Sequence, residues 1–208
     1  MLRTPATRPA ERTRRSGEMG THMSGSGADP QGTVVFPGKL ITVRVRQMTG
    51  RDGSTHTYEL VDHPDAVAIV ALRDTEEGER LVAFVRQERP AIGKTTWEIP
   101  AGLVAPQDGG DTKRTAEREL MEETGMRAGT LRFLHKHYPS PGFMNEAISI
   151  YLATDLEDVD GAEPDPREID SVSWKPLGVA IEMCRRGEIE DGKTVIGLWL
   201  TRDFMSDE

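Results

Sequence analysis

Three glutamates in one predicted helix have the types and the spacing that can bind a divalent cation. Glu119 and Glu123 are four residues apart and Glu122 is three from Glu119, so a helix projects their carboxylates from one side. Clustered carboxylates repel one another, and Mg²⁺ or Mn²⁺ reverses that repulsion because such cations prefer oxygen ligands. The helix on its own favours a solvated face rich in glutamate, because such helices are common, so the residues around the three glutamates decide.

The three glutamates lie within a longer motif. The sequence Arg-Glu-Leu-Met-Glu-Glu-Thr-Gly-Met spans residues 118–126 and follows Gly102 after a loop rich in Gly and Asp. It resembles the Nudix box, in which Gly, five residues, Glu and seven residues precede Arg-Glu-apolar-any-Glu-Glu-any-Gly-apolar. Every fixed position of residues 118–126 matches. The resemblance implies a Nudix hydrolase with the Nudix fold.

The first half of the motif departs from the family pattern. Arg118 lies sixteen positions after Gly102, where the pattern has fourteen, so the loop is about two residues longer. The glutamate expected in this loop is absent: Asp108 stands six positions after Gly102, Gly110 stands eight before Arg118, and Asp108 and Asp111 flank the place. The departure puts the loop conformation and the metal affinity in doubt more than the activity.

Four further segments are similar to one branch of the superfamily, the ADP-ribose pyrophosphatases and related nucleoside-diphosphate-sugar hydrolases. Together the resemblance covers roughly residues 38–203. The segments are Val85-Arg86-Gln87-Glu88-Arg89-Pro90, Trp97-Glu98-Ile99-Pro100-Ala101-Gly102, Tyr138-Pro139-Ser140-Pro141-Gly142-Phe143-Met144-Asn145-Glu146, and Gly187-Glu188-Ile189 with Lys193-Thr194.

The branch implies a role for each candidate residue. Mg²⁺, for which Mn²⁺ can substitute, would be held by Glu119, Glu122, Glu123 and the backbone carbonyl of Ala101. Arg118 would pair with these glutamates and fix their orientation. Arg89 would donate to a phosphate or ribose. The remaining substrate-binding candidates are Glu98, which would accept hydrogen bonds from substrate hydroxyls or the base, and Ser140, Gly142 and Tyr58.

Relatives supply a general base from a loop near the last strand. In this sequence that loop is the acidic stretch 155–168, and Glu168, six residues before Trp174, matches the family's loop glutamate best. Glu163 and Asp165 are the alternatives, because loop lengths vary. With Glu122 and Arg118, Glu168 completes the predicted catalytic set.

The elements that must position these residues are strands interleaved with few helices. The continuous apolar run 66–72 predicts a strand buried on both faces, and 81–85 predicts its antiparallel neighbour. Residues 40–61, with a turn at 50–53, predict a β-hairpin. We therefore expect an α/β (α+β) Nudix fold, in which a mixed β-sheet is sandwiched between helices behind an N-terminal antiparallel hairpin. The predicted divisions are a disordered tail (1–32), the hairpin (33–64) and the Nudix domain (65–205).

Composition narrows the class of protein. The formal net charge of −9 disfavours nucleic acid and anionic membranes as partners, and no run approaches the roughly 18 apolar residues of a spanning helix. The single cysteine, Cys184, excludes an intrachain disulfide and fits a reducing cytoplasm. Residues 1–32 are basic and rich in Thr, Pro, Gly and Ser, with almost no bulky apolar residue, which favours a disordered tail or an early start codon over a transit peptide.

Two alternative functions remain open. One is a Nudix hydrolase of another nucleoside diphosphate derivative or of a nucleoside triphosphate. The other is a non-catalytic module that senses ADP-ribose, although such modules usually lack some of the box glutamates. The branch also implies a homodimer, in which Tyr58 or Phe36 of one subunit reaches the site of the other.

Overall fold

The computed structural model describes residues 32–161 and 171–206. The predicted tail, except Gly32, and the loop carboxylates Glu163, Asp165 and Glu168 lie outside these ranges. In the described ranges no helix has both the length and the apolar character needed to cross a bilayer.

An antiparallel sheet of three strands begins the described chain. It contains β1 (Thr33–Pro37), β2 (Thr42–Thr49) and β3 (Thr55–Asp62), in the order β1-β2-β3. The expected hairpin is β2–β3, and its turn closes where the Gly53 N–H donates to the Gly50 carbonyl (3.0 Å) with Gly53 in the left-handed region. The third strand, β1, leaves its whole length exposed.

A mixed sheet of seven strands forms the centre of the molecule. Along the main path the order is β10-β5-β4-β9-β8, with β6 beside β5 and β7 beside β4. Among the strand pairs of this sheet in the described residues, only β4–β9 is parallel. The strands are β4 (Ala66–Asp74), β5 (Arg80–Arg89), β6 (Lys94–Glu98), β7 (Ala101–Leu103), β8 (Met126–His137), β9 (Ile148–Asp158) and β10 (Ser171–Pro176).

Helices cover both faces of this sheet, which confirms the predicted sandwich. Residues 66–72 of β4 are fully buried because they serve two cores. Ala68 and Val70 face the core that contains Leu198 of α3 (Gly192–Ser206), whereas Val67 and Ile69 face the core that contains Leu120 of α1. A third helix, α2 (Leu177–Arg185), packs in the first core.

Helix α1 (Thr112–Thr124) carries the predicted metal ligands, and its ends explain why it begins and stops there. The Asp111 side chain caps the first turn by accepting from Lys113 N–H (2.9 Å). Gly125 ends the helix in the left-handed conformation (φ 70°), which glycine adopts without steric cost. Ala116 and Leu120 are buried against the sheet and so fix the rotation of α1 about its axis. That rotation sets where the glutamates of the same helix lie.

Candidate active site

A cavity of about 930 Å³ opens beside α1 and contains most of the predicted residues. One wall carries Arg118, Glu119, Glu122 and Glu123 of α1, and the floor includes 101–103 of β7. The other wall is built by Arg89 of β5, the end of β8 and the first residues of α3.

A glycine is needed at position 102, at the start of the box, for a steric reason. A Cβ at this position would lie well inside van der Waals distance of the Glu119 carboxylate, which packs directly over the glycine. Any larger residue would displace a predicted metal ligand. Gly102 and Glu119 of the motif therefore pack directly against each other.

Glu123 is a buried carboxylate with few groups around it that would stabilise its negative charge. It is 5% exposed, and one of its oxygens accepts from the Ala101 N–H (2.9 Å). Burial raises the pKa of Glu123 to about 8, helped by the charges of Glu119 and Glu98 and opposed by the Ala101 N–H and Lys193. A cation placed here would favour the charged carboxylate.

Arg118 joins three carboxylates. Its Nη1 lies 2.8 Å from Glu119 and 2.7 Å from Glu122, and its Nη2 lies 2.9 Å from Asp108. The pairing with the box glutamates is the one expected from the sequence. Hydrogen bonds from Arg118 lower the pKa of Asp108 to about 2, and Thr115 and the Ala105 N–H also donate to it.

Asp108 is a site residue that sequence reasoning placed only in the neighbourhood of the missing glutamate. The longer loop folds into a 3₁₀ turn (Pro106–Asp108) followed by Gly109 and Gly110 in the left-handed region. This turn accommodates the extra residues of the loop and places Asp108 within hydrogen-bond distance of Arg118. The acidic type and the position six residues after Gly102 were the available signal, but the turn could not be predicted from spacing.

The possible metal-ligand atoms on this wall suit a hard divalent cation. Glu119, Glu122, Glu123 and the Ala101 carbonyl supply only oxygen, the ligand type that Mg²⁺ and Mn²⁺ prefer. In residues 32–161 and 171–206, however, no three His, Cys, Asp or Glu side chains converge closely enough to enclose an ion. The reason is visible at Arg118, whose guanidinium holds both Glu119 and Glu122. Ion binding would therefore require these side chains to reorient.

A buried charge network forms the opposite wall. Glu98 is 2% exposed and receives both arms of Arg89 (2.7 and 2.6 Å) as well as Lys193 and Thr96. Burial alone would raise the pKa of Glu98, but hydrogen bonds from Arg89 and the charge of Lys193 outweigh it and lower the pKa to about 2. Arg89 and Lys193 line the cavity, whereas Glu98 lies behind them. That Glu98 accepts hydrogen bonds from substrate stays a prediction.

The remaining substrate-binding candidates lie outside the cavity lining. Ser140 and Gly142 belong to a turn in which the Ser140 carbonyl accepts from Phe143 and Met144, and the preceding Tyr138 and Pro139 line the cavity instead. Tyr58 is an exposed residue of β3.

Sequence reasoning assigned no role to several cavity-lining residues. Glu146 and Lys193 stood in quoted motifs without a function, and Asp191, His63 and His137 stood in none. No signal in the sequence marked the two histidines, because chain folding alone brings them to the cavity.

Comparison with known protein families agrees with this geometry. The NUDIX domain model matches residues 62–196, which include the box, the floor of the cavity and the first residues of α3. The chain belongs to the Nudix family. Its Nudix box is therefore the segment that builds the glutamate wall described above.

The relatives of this Nudix chain include two named ADP-ribose pyrophosphatases. The protein of Mycobacterium tuberculosis is 36% identical over 162 residues, covering 77% of this chain and 76% of the relative. The protein of Bacillus subtilis is 34% identical over 165 residues, covering 79% and 86%. A crystal structure of an ADP compounds hydrolase superposes with a TM-score of 0.72 at 24% identity, covering 84% of this chain and 91% of that one, which shows the shared fold.

Proposed function

We propose that this Nudix enzyme hydrolyses the diphosphate bond of ADP-ribose, or of a related nucleoside-diphosphate sugar, and releases AMP and ribose 5-phosphate from ADP-ribose. The observation that carries the proposal is a single cavity lined both by Glu119, Glu122 and Glu123 and by Arg89 and Lys193. Oxygen ligands for a cation, together with positive side chains that can bind phosphate oxygens, suit a diphosphate. Two relatives named ADP-ribose pyrophosphatase support this substrate.

The proposed cofactor is Mg²⁺, with Mn²⁺ as a substitute. Glu119, Glu122, Glu123 and the Ala101 carbonyl would hold it. Bound there, the cation would neutralise charge on the diphosphate oxygens while water attacks phosphorus. Once Glu119 and Glu122 had turned towards the cation, Arg118 would hold them from the side, and Asp108 would keep Arg118 in place.

On the opposite wall, Arg89 and Lys193 would bind the substrate through their positive charge. Glu98, which does not line the cavity, pairs with the side chains of both Arg89 and Lys193. The Arg89 guanidinium is therefore held in place before substrate binds. Arg89 would then offer its remaining donors to a phosphate or ribose oxygen. Ser140 and Gly142 would contact substrate only if their turn moved towards the cavity.

A general base would take the proton of the attacking water. Glu168 is the proposed base, with Glu163 and Asp165 as alternatives, and all three lie outside the described residues. A neutral glutamine at the true position should lower turnover by about 10² to 10⁴, because general-base catalysis contributes on that order.

We also propose a homodimer formed through the N-terminal sheet. Val34, Val35, Phe36 and Tyr58 of this sheet are exposed apolar or aromatic side chains. A second copy of the chain would cover them and could bring Phe36 or Tyr58 to its partner's cavity, where an aromatic ring would stack on the base. The predicted cytoplasmic location stays a prediction.

A substrate panel tests the proposed function against the open alternatives. Hydrolysis of ADP-ribose, UDP-glucose, NADH and a damaged nucleoside triphosphate, followed as release of each substrate's own nucleoside monophosphate, is compared with Mg²⁺ and with a chelator. We expect the highest kcat/KM for ADP-ribose and no turnover without the metal. Faster cleavage of another diphosphate would change the substrate, and binding of ADP-ribose without any turnover would favour the sensing module.

A further inference from the structure

His137 is the last residue of β8 and lines the cavity beside Tyr138. Its Nδ1 atom is buried and has no hydrogen-bond partner in the described part of the chain. Buried polar atoms normally have a partner, so an unpaired one at a cavity wall calls for an explanation. The other ring nitrogen, Nε2, is not fully buried, and no residue of the ranges 32–161 and 171–206 forms a hydrogen bond with it.

The burial of Nδ1 determines where the ring carries its proton. Burial lowers the pKa of His137, and His135 and Lys193 lower it further against the opposing charge of Asp191, so the neutral ring is favoured. A proton on Nδ1 would leave a buried N–H unpaired, which costs more than placing it where water or a ligand can accept it. The neutral ring therefore presents Nε2–H as a donor.

Asp191 supplies an acceptor at the same wall. It lines the cavity, and its charge acts on His137. Its Oδ2 atom accepts from Lys193 (3.1 Å), from Thr194 N–H (3.0 Å) and from the Thr194 hydroxyl (2.6 Å). These bonds fix the carboxylate at the start of α3, and no described residue donates to Oδ1.

We propose that His137 and Asp191 together bind a sugar hydroxyl of the substrate, an inference that rests on the proposed function. A hydroxyl both accepts and donates, so it can take the Nε2–H of His137 and give its own proton to Asp191. A phosphate oxygen could only accept, and the Asp191 carboxylate would repel it. The His137–Asp191 pair therefore favours a sugar hydroxyl over a phosphate oxygen, whereas Arg89 and Lys193 on the same wall favour the phosphates.

Four variants test the role of His137. His137→Phe keeps the ring but has no donor; we expect it to raise the KM for ADP-ribose about 3- to 10-fold, the effect of one hydrogen bond, with kcat within about twofold. His137→Gln places an amide near the Nε2 position and should keep KM within about threefold. His137→Asn reaches only the Nδ1 position and should resemble the Phe variant. His135→Phe is the control on the same strand: its ring stacks with His137 but does not line the cavity, so it reports effects that reach His137 only through packing or charge.

The comparison of Gln with Asn keeps the test valid even if the Phe variant unfolds, because both replacements are polar. Equal KM values for His137→Gln, His137→Asn and His135→Phe would overturn the inference. A wild-type protein that does not cleave ADP-ribose contradicts the proposed function instead, and this is seen before any variant is made. The same series is then measured on the nucleotide sugar that it does cleave, with the same criterion.

Discussion

At the scale of single residues, Glu98 and Glu123 show that donors rather than burial decide the charge of a carboxylate. Both are almost fully buried, yet the pKa of Glu98 is lowered to about 2 and that of Glu123 is raised to about 8. Glu98 has Arg89 and Lys193 as direct partners. Glu123 accepts one backbone N–H and is close to the charge of Glu119. The difference is consistent with a cation being the missing partner of Glu123.

The lowered pKa of Glu98 predicts how folding stability depends on acid. Because the folded pKa (about 2) is below the unfolded value of 4.5, the stabilisation is complete above pH 4.5 and is lost as pH falls towards 2. A shift of this size corresponds to on the order of 3 kcal/mol. Between pH 4.5 and 2.5, thermal unfolding should show a steeper fall of Tm for the wild type than for Glu98→Gln. Parallel curves would contradict the account.

At the scale of elements, the loop before α1 positions Arg118 through Asp108. Asp108 fixes Arg118, and Arg118 in turn holds Glu119 and Glu122. Asp111, three residues later, instead caps the helix through Lys113 N–H. Two aspartates of one loop therefore have separable roles, one in positioning the site and one in helix stability.

Alanine variants should separate these two roles. Asp108→Ala frees Arg118 from one partner, so we expect turnover to fall by about tenfold and the Mg²⁺ requirement to rise, since losing a residue that orients the metal ligands typically costs about 10- to 100-fold. Asp111→Ala should leave turnover within about twofold and cost about 1 kcal/mol of stability, the usual effect of a lost N-cap. Kinetics and thermal unfolding of both variants check this. Identical profiles would show that the roles are not separate.

Elements with strong periodicity could be predicted from the sequence, and weakly patterned ones could not. The apolar run 66–72 predicted β4 (Ala66–Asp74), which ends only two residues later, and the spacing of the glutamates predicted the helix α1. Strand β8 (Met126–His137) could not be bounded from its pattern, because its first half contains Ala128 and Gly129, which are depleted in strands. Strand β1 was not predicted at all, since it pairs along one edge and buries nothing.

The site residues also divide into those that local sequence patterns predict and those that they do not. Glu119, Glu122, Glu123 and Arg118 follow from local spacing on one helix, so the motif was sufficient to place them on one cavity wall. His137 and Asp191 come from distant elements that meet only in the folded sheet. No spacing rule connects residues that far apart in the sequence.

At the scale of the whole molecule, the N-terminal strands form a sheet separate from the central one, and this sheet exposes β1. Two truncations test what this region does. Removing residues 1–32 should leave turnover within about twofold, because this segment has almost no bulky apolar residue. Removing residues 1–38 also deletes β1 with Val34, Val35 and Phe36, and should convert the proposed dimer to a monomer. Light scattering and turnover of both truncations check this; a dimer that survives the longer truncation would contradict the proposed interface.

The central claim is that the glutamate wall of α1 brings a divalent cation to the substrate diphosphate. The measurement is ADP-ribose turnover against Mg²⁺ concentration for the wild type, Glu123→Gln and Glu117→Gln. Glu117 is the matched control, because it lies on the same helix, pairs with Lys113 and does not line the cavity. Glu123→Gln should lose on the order of 10²-fold or more in turnover, with at most partial rescue by extra Mg²⁺, while Glu117→Gln follows the wild type. Equal curves for all three proteins, or wild-type turnover that persists in chelator, would contradict the claim.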